Sequence, residues 1–376
     1  MAISSEASIR SHFKTLADPR QKGKIEHKLQ DIITIALCAV ISGADTWPDI
    51  YEYGMAKRVW LETFLQLPNG IPSDDTFRRV FILIDQDAFE NCFISWVTAV
   101  ETVTEGQVIA IDGKTNRGSH DRISGKSPIH VVSAWASENR ITLGQVKTEE
   151  KSNEITAIPE LLNLLEIKGC IVTIDAMGCQ KAIAEKIVEK EADYVLALKG
   201  NQANLYEDVE LYIKDAIRNG FGNERSDYYE TIDGDHGRIE IRRYYTMSDL
   251  DWLTGKEDWK GLNIVGMAQS ETHIGGKVIT DQRFYISSME NDAKEFGKAV
   301  RNHWGIENSV HWVLDVGFRE DESRKRKGNS AFNFSILRHI AMNLLRKDKT
   351  VKRGMRTKRM KAGWDDAYLE KILTAA

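Results

Sequence analysis

Cysteine is scarce in this chain: four among 376 residues, Cys38, Cys92, Cys170 and Cys179. Even the nearest two, Cys170 and Cys179, lack the CxxC spacing of zinc and redox sites, which argues against a structural zinc site or a disulfide scaffold. All four read as reduced thiols in a cytoplasmic protein. Long apolar runs are missing as well. The most hydrophobic stretch, "IITIALCAVISGA", is too short to span a bilayer and reads as a core helix, so no membrane partner is expected. The opening "MAISSEASIR" shows no signal-peptide pattern. Internal repeats and low-complexity segments are absent too, and the net charge is −5, which at first sight argues against a nucleic-acid partner.

What is present changes that impression. Hydrophobic residues make up 42% of the chain and charged residues 28%, enough to bury a sizeable core in two or three domains. From Arg324 to Lys361 there are fourteen Lys or Arg against one acid, Asp348. The rest of the chain therefore carries roughly −18. A solvated tail and a polyanion-binding segment both fit such a run, and the polarisation favours the second.

Up to about residue 100 the pattern is helical. "EHKLQDIITIALCAVISGA" and "DAFENCFISWVTAV" have apolar residues at helical spacing. Between them Ser73 is placed to cap a helix with Asp74 and Asp75 in its first turn and Phe77, Val80, Phe81 and Ile84 on one face. Arg78 and Arg79 then point outward, either solvated or reading DNA. From Gln107 the runs "QVIAID", "IHVVSAWA" and "RITLGQVK" are strand-like. A helix, the strand "CIVTID", a second helix and the strand "YVLAL" follow. Two helical crossovers of this kind imply a mixed sheet with helices on both faces. Strand-like runs from about Asp227 to Met289 form a β-rich insertion. There, "HGRIEIRRYY" would place His236, Arg238, Glu240 and Arg242 on one strand face, solvated or facing phosphates.

Two of the apolar runs stop on Ile-Asp, at Asp112 and Asp175. A third acid sits on the helix after the insertion, where Val300, Trp304, Glu307, His311 and Leu314 share one face. Three of those five are apolar, so the expectation is that Glu307 lies in the core and needs a cation, a metal or strong donors. Pairing with His303 or His311, each four residues away, is the simpler alternative. One ion cannot use His303, Glu307 and His311 together, because eight helical residues span about 12 Å. A single His-Glu pair would need further ligands from elsewhere. Asp112, Asp175 and Glu307 taken together suit Mg²⁺, with Mn²⁺ as substitute, since both are hard ions that prefer oxygen donors.

Longer motifs then point to a family. "IAIDGKTNRGSHD", "KTEEKSNEITAIPELLNLL", "TIDAMGCQKAIAEKI", "DYVLALKGNQ", "HGRIEIR", "FYISSME" and "RNHWGIENSVHWVLDVGFREDE" closely resemble the H-repeat-associated transposases of Rhs elements, within the DDE transposases of bacterial insertion sequences. "LADPRQKGKIEHKLQDIITIALCAVISGADTW" and "PNGIPSDDTF" resemble the helical domain attached to them. The resemblance implies an α/β fold: a ribonuclease-H-like mixed sheet flanked by helices, with an all-β insertion and an N-terminal helical domain. It implies a helical, DNA-binding domain over 1–104, a catalytic domain over 105–350 with its insertion at about 222–289, and a basic tail over 351–376. Motif by motif, the catalytic and metal-binding acids fall on Asp112, Asp175 and Glu307. The wider clan often spaces Tyr, Arg, Glu and Lys along the Glu helix. Here Val300 and His303 stand at the Tyr and Arg places, Arg301 is displaced, and Leu314 replaces Lys.

The expected function is Mg²⁺-dependent cleavage of DNA ends followed by strand transfer, with no organic cofactor. Expected partners are double-stranded DNA, both element ends and target, and a second copy of the chain when DNA is bound. The protein would then associate with the nucleoid. Expected DNA contacts are Lys199, Arg238, Arg242, Arg301, His303, Arg324, Lys325, Arg326, Lys327 and Arg338, with Arg346 on the same late helix as Arg338. The rival expectation is a catalytically inactive relic or regulator that binds DNA without a metal. A metal phosphatase or general nuclease would fit the acids but not the basic segment.

Overall fold

The computed structural model describes residues 9–120, 125, 127–149, 153–221, 225–235 and 237–374. His236 lies outside them. The strand-like runs after Gln107 form β1 (Val108–Thr115), β2 (His130–Ala136), β3 (Ile141–Lys147), β4 (Ile171–Ile174) and β5 (Asp193–Leu198). The insertion supplies β6 (Ser226–Asp235), β7 (Arg238–Met247), β8 (Ile264–Ile274) and β9 (Lys277–Ser287). All nine join one mixed sheet in the order β3-β2-β1-β4-β5-β9-β8-β7-β6. β1 pairs antiparallel with β2 and parallel with β4, and β4 pairs parallel with β5. The insertion does not make a sheet of its own. Its last strand, β9, adds antiparallel to β5 from Val195↔Ser287 to Leu198↔Phe284.

Helices cover both faces, as the two crossovers require. The helix Ala293–Ile306 buries Phe296, Ala299 and Val300 against Val108, Ile171, Val195, Tyr244, Ile264 and Tyr285 of the sheet. Glu154–Leu164, Lys181–Glu189 and Ala203–Arg218 bury Leu161, Ile183, Ile187, Val209 and Ile213 in the other core. That second core runs without a break into the N-terminal helices Leu29–Ile41, Trp47–Ala56, Asp74–Leu83 and Gln86–Val100. Ser73 caps Asp74–Leu83, accepting from the Thr76 N–H at 3.2 Å, while Arg78 and Arg79 point outward and pair with Asp75.

The basic segment is built into the fold to a degree its composition does not convey. Sixteen of the eighteen residues of Ser330–Lys347 are buried, because this helix lies between the N-terminal helices and the edge strand β3. Asn343 takes the Thr142 N–H at 2.9 Å and donates to the Thr142 carbonyl at 2.8 Å, covering an edge that would otherwise expose unpaired backbone. The stretch read as a basic tail forms two further helices, Met355–Trp364 and Asp366–Thr374. Lys358 donates to the carbonyls of Leu345 and Asp348 at the C-terminal end of Ser330–Lys347, where the helix dipole favours a cation. Arg359 does the same for Leu29–Ile41 through Val40, at 2.9 and 3.1 Å. Among the described residues no helix is long and apolar enough to cross a membrane.

One buried acid makes a thermodynamic signature. Glu90 accepts from the Gln145 N–H at 2.8 Å, while its Oε2 is buried without a partner among the described residues. Burial pushes its carboxyl well above the ordinary value of 4.5. A folded pKa above the unfolded one means stability is full below about pH 4.5 and declines as pH rises toward the folded value. Glu90→Gln should therefore leave the melting temperature unchanged near pH 4 and raise it above pH 7. The gain should grow by up to about 1.4 kcal/mol per pH unit between those limits. Equal melting temperatures for the two proteins at pH 8 would contradict a neutral, buried Glu90.

Candidate metal centre

The parallel ladder pairs Ile109 with Val172, Ala110 with Thr173 and Ile111 with Ile174. One residue further on, β4 stops and β1 continues to Thr115. Asp112 is therefore not at a strand end, as its sequence context suggested. It sits within β1, still paired with Ser133 of β2, at the level where its other neighbour has ended. Asp175 follows directly after β4 and caps the turn Ala176–Gly178, its Oδ1 accepting from the N–H groups of Met177 at 2.9 Å and Gly178 at 3.4 Å. The missing strand length beside Asp112 opens a cleft of about 360 Å³. Its lining includes Asp112, Asp175, Lys199, Arg283, His303, Trp304 and Glu307.

Glu307 enters from the opposite wall. The helix Ala293–Ile306 widens into a π-turn over Glu307–His311, closed by the Trp312 N–H donating to the Glu307 carbonyl. Such single wide turns recur at functional sites because they reset which side chains share a face. Here the turn stacks Glu307 above His311, whose Nδ1 lies 2.8 Å from Glu307 Oε2 and 3.6 Å from Asp112 Oδ2. Arg346, expected to track DNA, instead donates to the Ser309 carbonyl of this turn and to that of Arg140 at 3.1 Å. The expected burial of Glu307 does not hold: its side chain is 61% exposed, whereas His311 is 4% exposed. Trp304 is exposed too, and the face predicted as core is core only at Val300, His311 and Leu314. The cleft itself removes the neighbours that would have buried the other two.

Burial pushes the Asp112 carboxyl up to about 6, against the opposing pull of His311 and the Gly113 N–H. Of the two histidines that could pair with Glu307, His311 does so, while His303 shares a 3.0 Å hydrogen bond with Thr173 Oγ1. Burial drives it down to about 4, so it is neutral at pH 7 and offers no cationic contact to a phosphate. The ligand atoms of Asp112, Glu307 and His311 all lie within 4.8 Å of one another. Asp175 stands outside that tight group but lines the same cleft, with Oδ2 free of hydrogen bonds among the described residues. The 2.8 and 3.6 Å separations from His311 Nδ1 to the two carboxylates fit adjacent ligands of a six-coordinate divalent ion with bonds of about 2.1 Å.

The expected DNA contacts divide by position. Lys199 is exposed at the cleft. Arg238, Arg242 and Arg301 line an adjoining groove of about 320 Å³, which shares Arg283, Tyr285, Val300 and Trp304 with the cleft. Arg242 is buried there and paired with Asp233 and Glu240; Arg238 is exposed and pairs with Glu240 at 3.2 Å. Arg324 and Lys327 are exposed, and Arg326 is half-buried, donating to the Gly118 carbonyl at 3.4 Å. Two of the expected contacts are out of reach of a DNA backbone. Lys325 is buried over the rings of Phe334 and Trp47 and donates to the Asp45 carbonyl at 2.7 Å. Arg338 is 2% exposed, stacked 4.6 Å from Phe334 and facing the buried Glu320. The sequence reading passed over Arg283, whose guanidinium lies 4.2 Å from the Trp304 ring centre. It also passed over Lys114, which pairs with Asp315, Glu320 and Asp321 at 2.8–3.3 Å. Strand alternation in "DQRFYISS" and the Asp that ends "HWVLD" were the available signals.

The approach of the Glu307 helix to β2 depends on Gly305, where an added Cβ would come within 2.4 Å of the Trp135 ring. Gly305→Ala is expected to lift the helix, costing about 1–3 kcal/mol of stability by overpacking. It should also weaken divalent-ion binding, read by calorimetry on the folded fraction. Unchanged stability and ion affinity would mean the helix seat is not what places Glu307.

Comparison with known proteins agrees across nearly the whole chain. Residues 103–344 match the family model described as "Transposase DDE domain", and residues 10–97 match the model described as "DDE_Tnp_1-associated". The chain is 46% identical over 375 residues to "Putative transposase YncI" of Escherichia coli O157:H7, covering 98% of this chain and 95% of that one. It is 44% identical over 370 residues to "H repeat-associated putative transposase YhhI" of Escherichia coli K12, covering 97% of each. "Inactive transposase YbfQ" of the same strain is 44% identical over 69 residues, 18% of this chain and 82% of that one. A solved cryo-EM structure, the piggyBac transposase synaptic complex with hairpin DNA, aligns at a TM-score of 0.43 and 11% identity. That alignment covers 98% of this chain and 78% of the other.

Proposed function

We propose that this chain, which belongs to the Transposase DDE domain family, is a metal-dependent DNA transposase that cleaves element ends and joins them to target DNA. The observation that carries the reading is the convergence of Asp112, Asp175 and Glu307 on one cleft from three different elements. The order β3-β2-β1-β4-β5, with β2 alone running antiparallel to the other four, supports a ribonuclease-H-like core. We assign Asp112, Asp175 and Glu307 as ligands of Mg²⁺ or Mn²⁺. When bound, such ions supply a water or hydroxyl nucleophile of lowered pKa and stabilise the leaving oxygen of a phosphodiester.

The chain's own part is placement. β1 holds Asp112 by backbone pairing on one side, and two N–H groups hold Asp175 Oδ1, so both carboxylates would hold the ion against the reacting phosphate without reorganising. Lys199 at the cleft is positioned to bind a non-reacting phosphate oxygen. Arg301, Arg238, Arg324 and Lys327 are the exposed cations we assign to the DNA backbone, with binding that weakens steeply as salt rises. A homodimer on DNA, holding two ends, belongs to the same proposal.

The test is cleavage of a DNA fragment carrying the gene's own genomic flanks, in Mg²⁺, by wild type and by Asp175→Asn. Wild type should cut at the flanks, and the variant should lose roughly 10²-fold or more of the rate while keeping DNA affinity. Salt-sensitive binding by both proteins with cutting by neither would replace this reading with the inactive relic or regulator.

A further inference from the structure

We propose that His311 is a fourth protein ligand of the metal centre, through Nδ1, and that the centre therefore takes Mn²⁺ in preference to Mg²⁺. The inference rests on the metal-centre reading above and goes beyond its three acids. Nδ1 lies between the two carboxylates, 2.8 Å from Glu307 Oε2 and 3.6 Å from Asp112 Oδ2. Ligand atoms around a six-coordinate ion at about 2.1 Å sit about 3 Å apart when adjacent, and the two separations that Nδ1 makes, 2.8 and 3.6 Å, bracket that spacing.

The surroundings make the ring a poor choice for a purely structural pair. His311 is 4% exposed, yet its partner Glu307 is mostly solvent-facing, so their bond ties no second buried group into the core. Its Nε2 is buried without a partner among the described residues, so the ring's polar contacts are all made by Nδ1, toward the two carboxylates. Ligation through Nδ1 would leave the His311 proton on Nε2. The π-turn supplies the register: it stacks His311 under Glu307 and aims both at Asp112 of β1.

An imidazole among carboxylates changes ion preference. Mg²⁺ keeps an all-oxygen, largely hydrated shell, while affinity at mixed nitrogen and oxygen sites rises along the first transition row. The probe is Mn²⁺ added to the full chain, read by pulsed electron paramagnetic resonance for coupling to ¹⁴N, with Mn²⁺ and Mg²⁺ affinities from calorimetry. Wild type should show imidazole nitrogen coupling and bind Mn²⁺ roughly tenfold or more tighter than Mg²⁺. His311→Asn should lose the coupling and most of the Mn²⁺ advantage, with Mg²⁺ affinity changed by less than about threefold. His303→Asn, removing the other histidine at the cleft, should keep the coupling; it also shows that a weaker signal is not general damage. Tight Mn²⁺ binding by wild type without ¹⁴N coupling, or with coupling that persists in His311→Asn, overturns the role of His311 and leaves the three acids as ligands. No divalent-ion binding by wild type overturns the metal-centre reading itself.

Discussion

The parallel ladder between β1 and β4 is the constraint on which the candidate centre depends. Because Ile111 pairs with Ile174, Asp112 and Asp175 emerge at adjacent positions on one sheet edge. Because β4 ends there and β1 does not, one acid is clamped by a neighbouring strand while the other is held by the turn that replaces its own. The cleft follows from this difference in length. The helix Ala293–Ile306 then lies flush on the sheet, and its widened last turn delivers Glu307 and His311 to the same opening. A rigid sheet edge faced by an adjustable helix end is a physically sensible way to assemble ligands from far-apart sequence positions.

The cations tell a second story. The run from Arg324 to Lys361 looks like a surface for polyanions, but several of its members serve the fold. Lys358 and Arg359 cap helix ends, Lys325 lies over aromatic rings, and Arg346 supports the π-turn from behind. Arg338 and Lys114 together hold the Glu320 carboxyl below its ordinary range despite its complete burial. Charges used this way are costly to break, because removing one partner strands the other in a dry interior. The exposed positive surface of this segment is smaller than the sequence suggests, consisting of residues such as Arg324, Lys327, Lys349, Lys352, Arg353 and Arg356.

Much of the fold was legible because its signals are local. Strand-length apolar runs ending on Ile-Asp, helical spacing in "NEITAIPELLNLLEI" and the cap at Ser73 each follow from a few neighbouring residues. The place of Asp112 beyond the end of β4 was not legible, since it depends on the relative lengths of two strands 60 residues apart. Nor was the exposure of Glu307 and Trp304. Their helical face is apolar by composition, and only the cleft shows that part of it has nothing to pack against. Arg338 and Lys325 were misplaced for a related reason: a basic residue reads as surface until a distant Glu320 or a pair of aromatic rings is brought beside it. The π-turn leaves no sequence mark of its own, which is why His311 appeared only as one member of a ligand line too long for a single ion.

The central claim is that Asp112, Asp175 and Glu307 surround a divalent cation at the edge of the sheet. Anomalous scattering from crystals of the full chain grown with Mn²⁺ tests it most directly. An anomalous peak is expected in the cleft within about 2.5 Å of carboxylate oxygens from all three residues. A peak elsewhere, or a cleft that stays without one at saturating Mn²⁺, would contradict it.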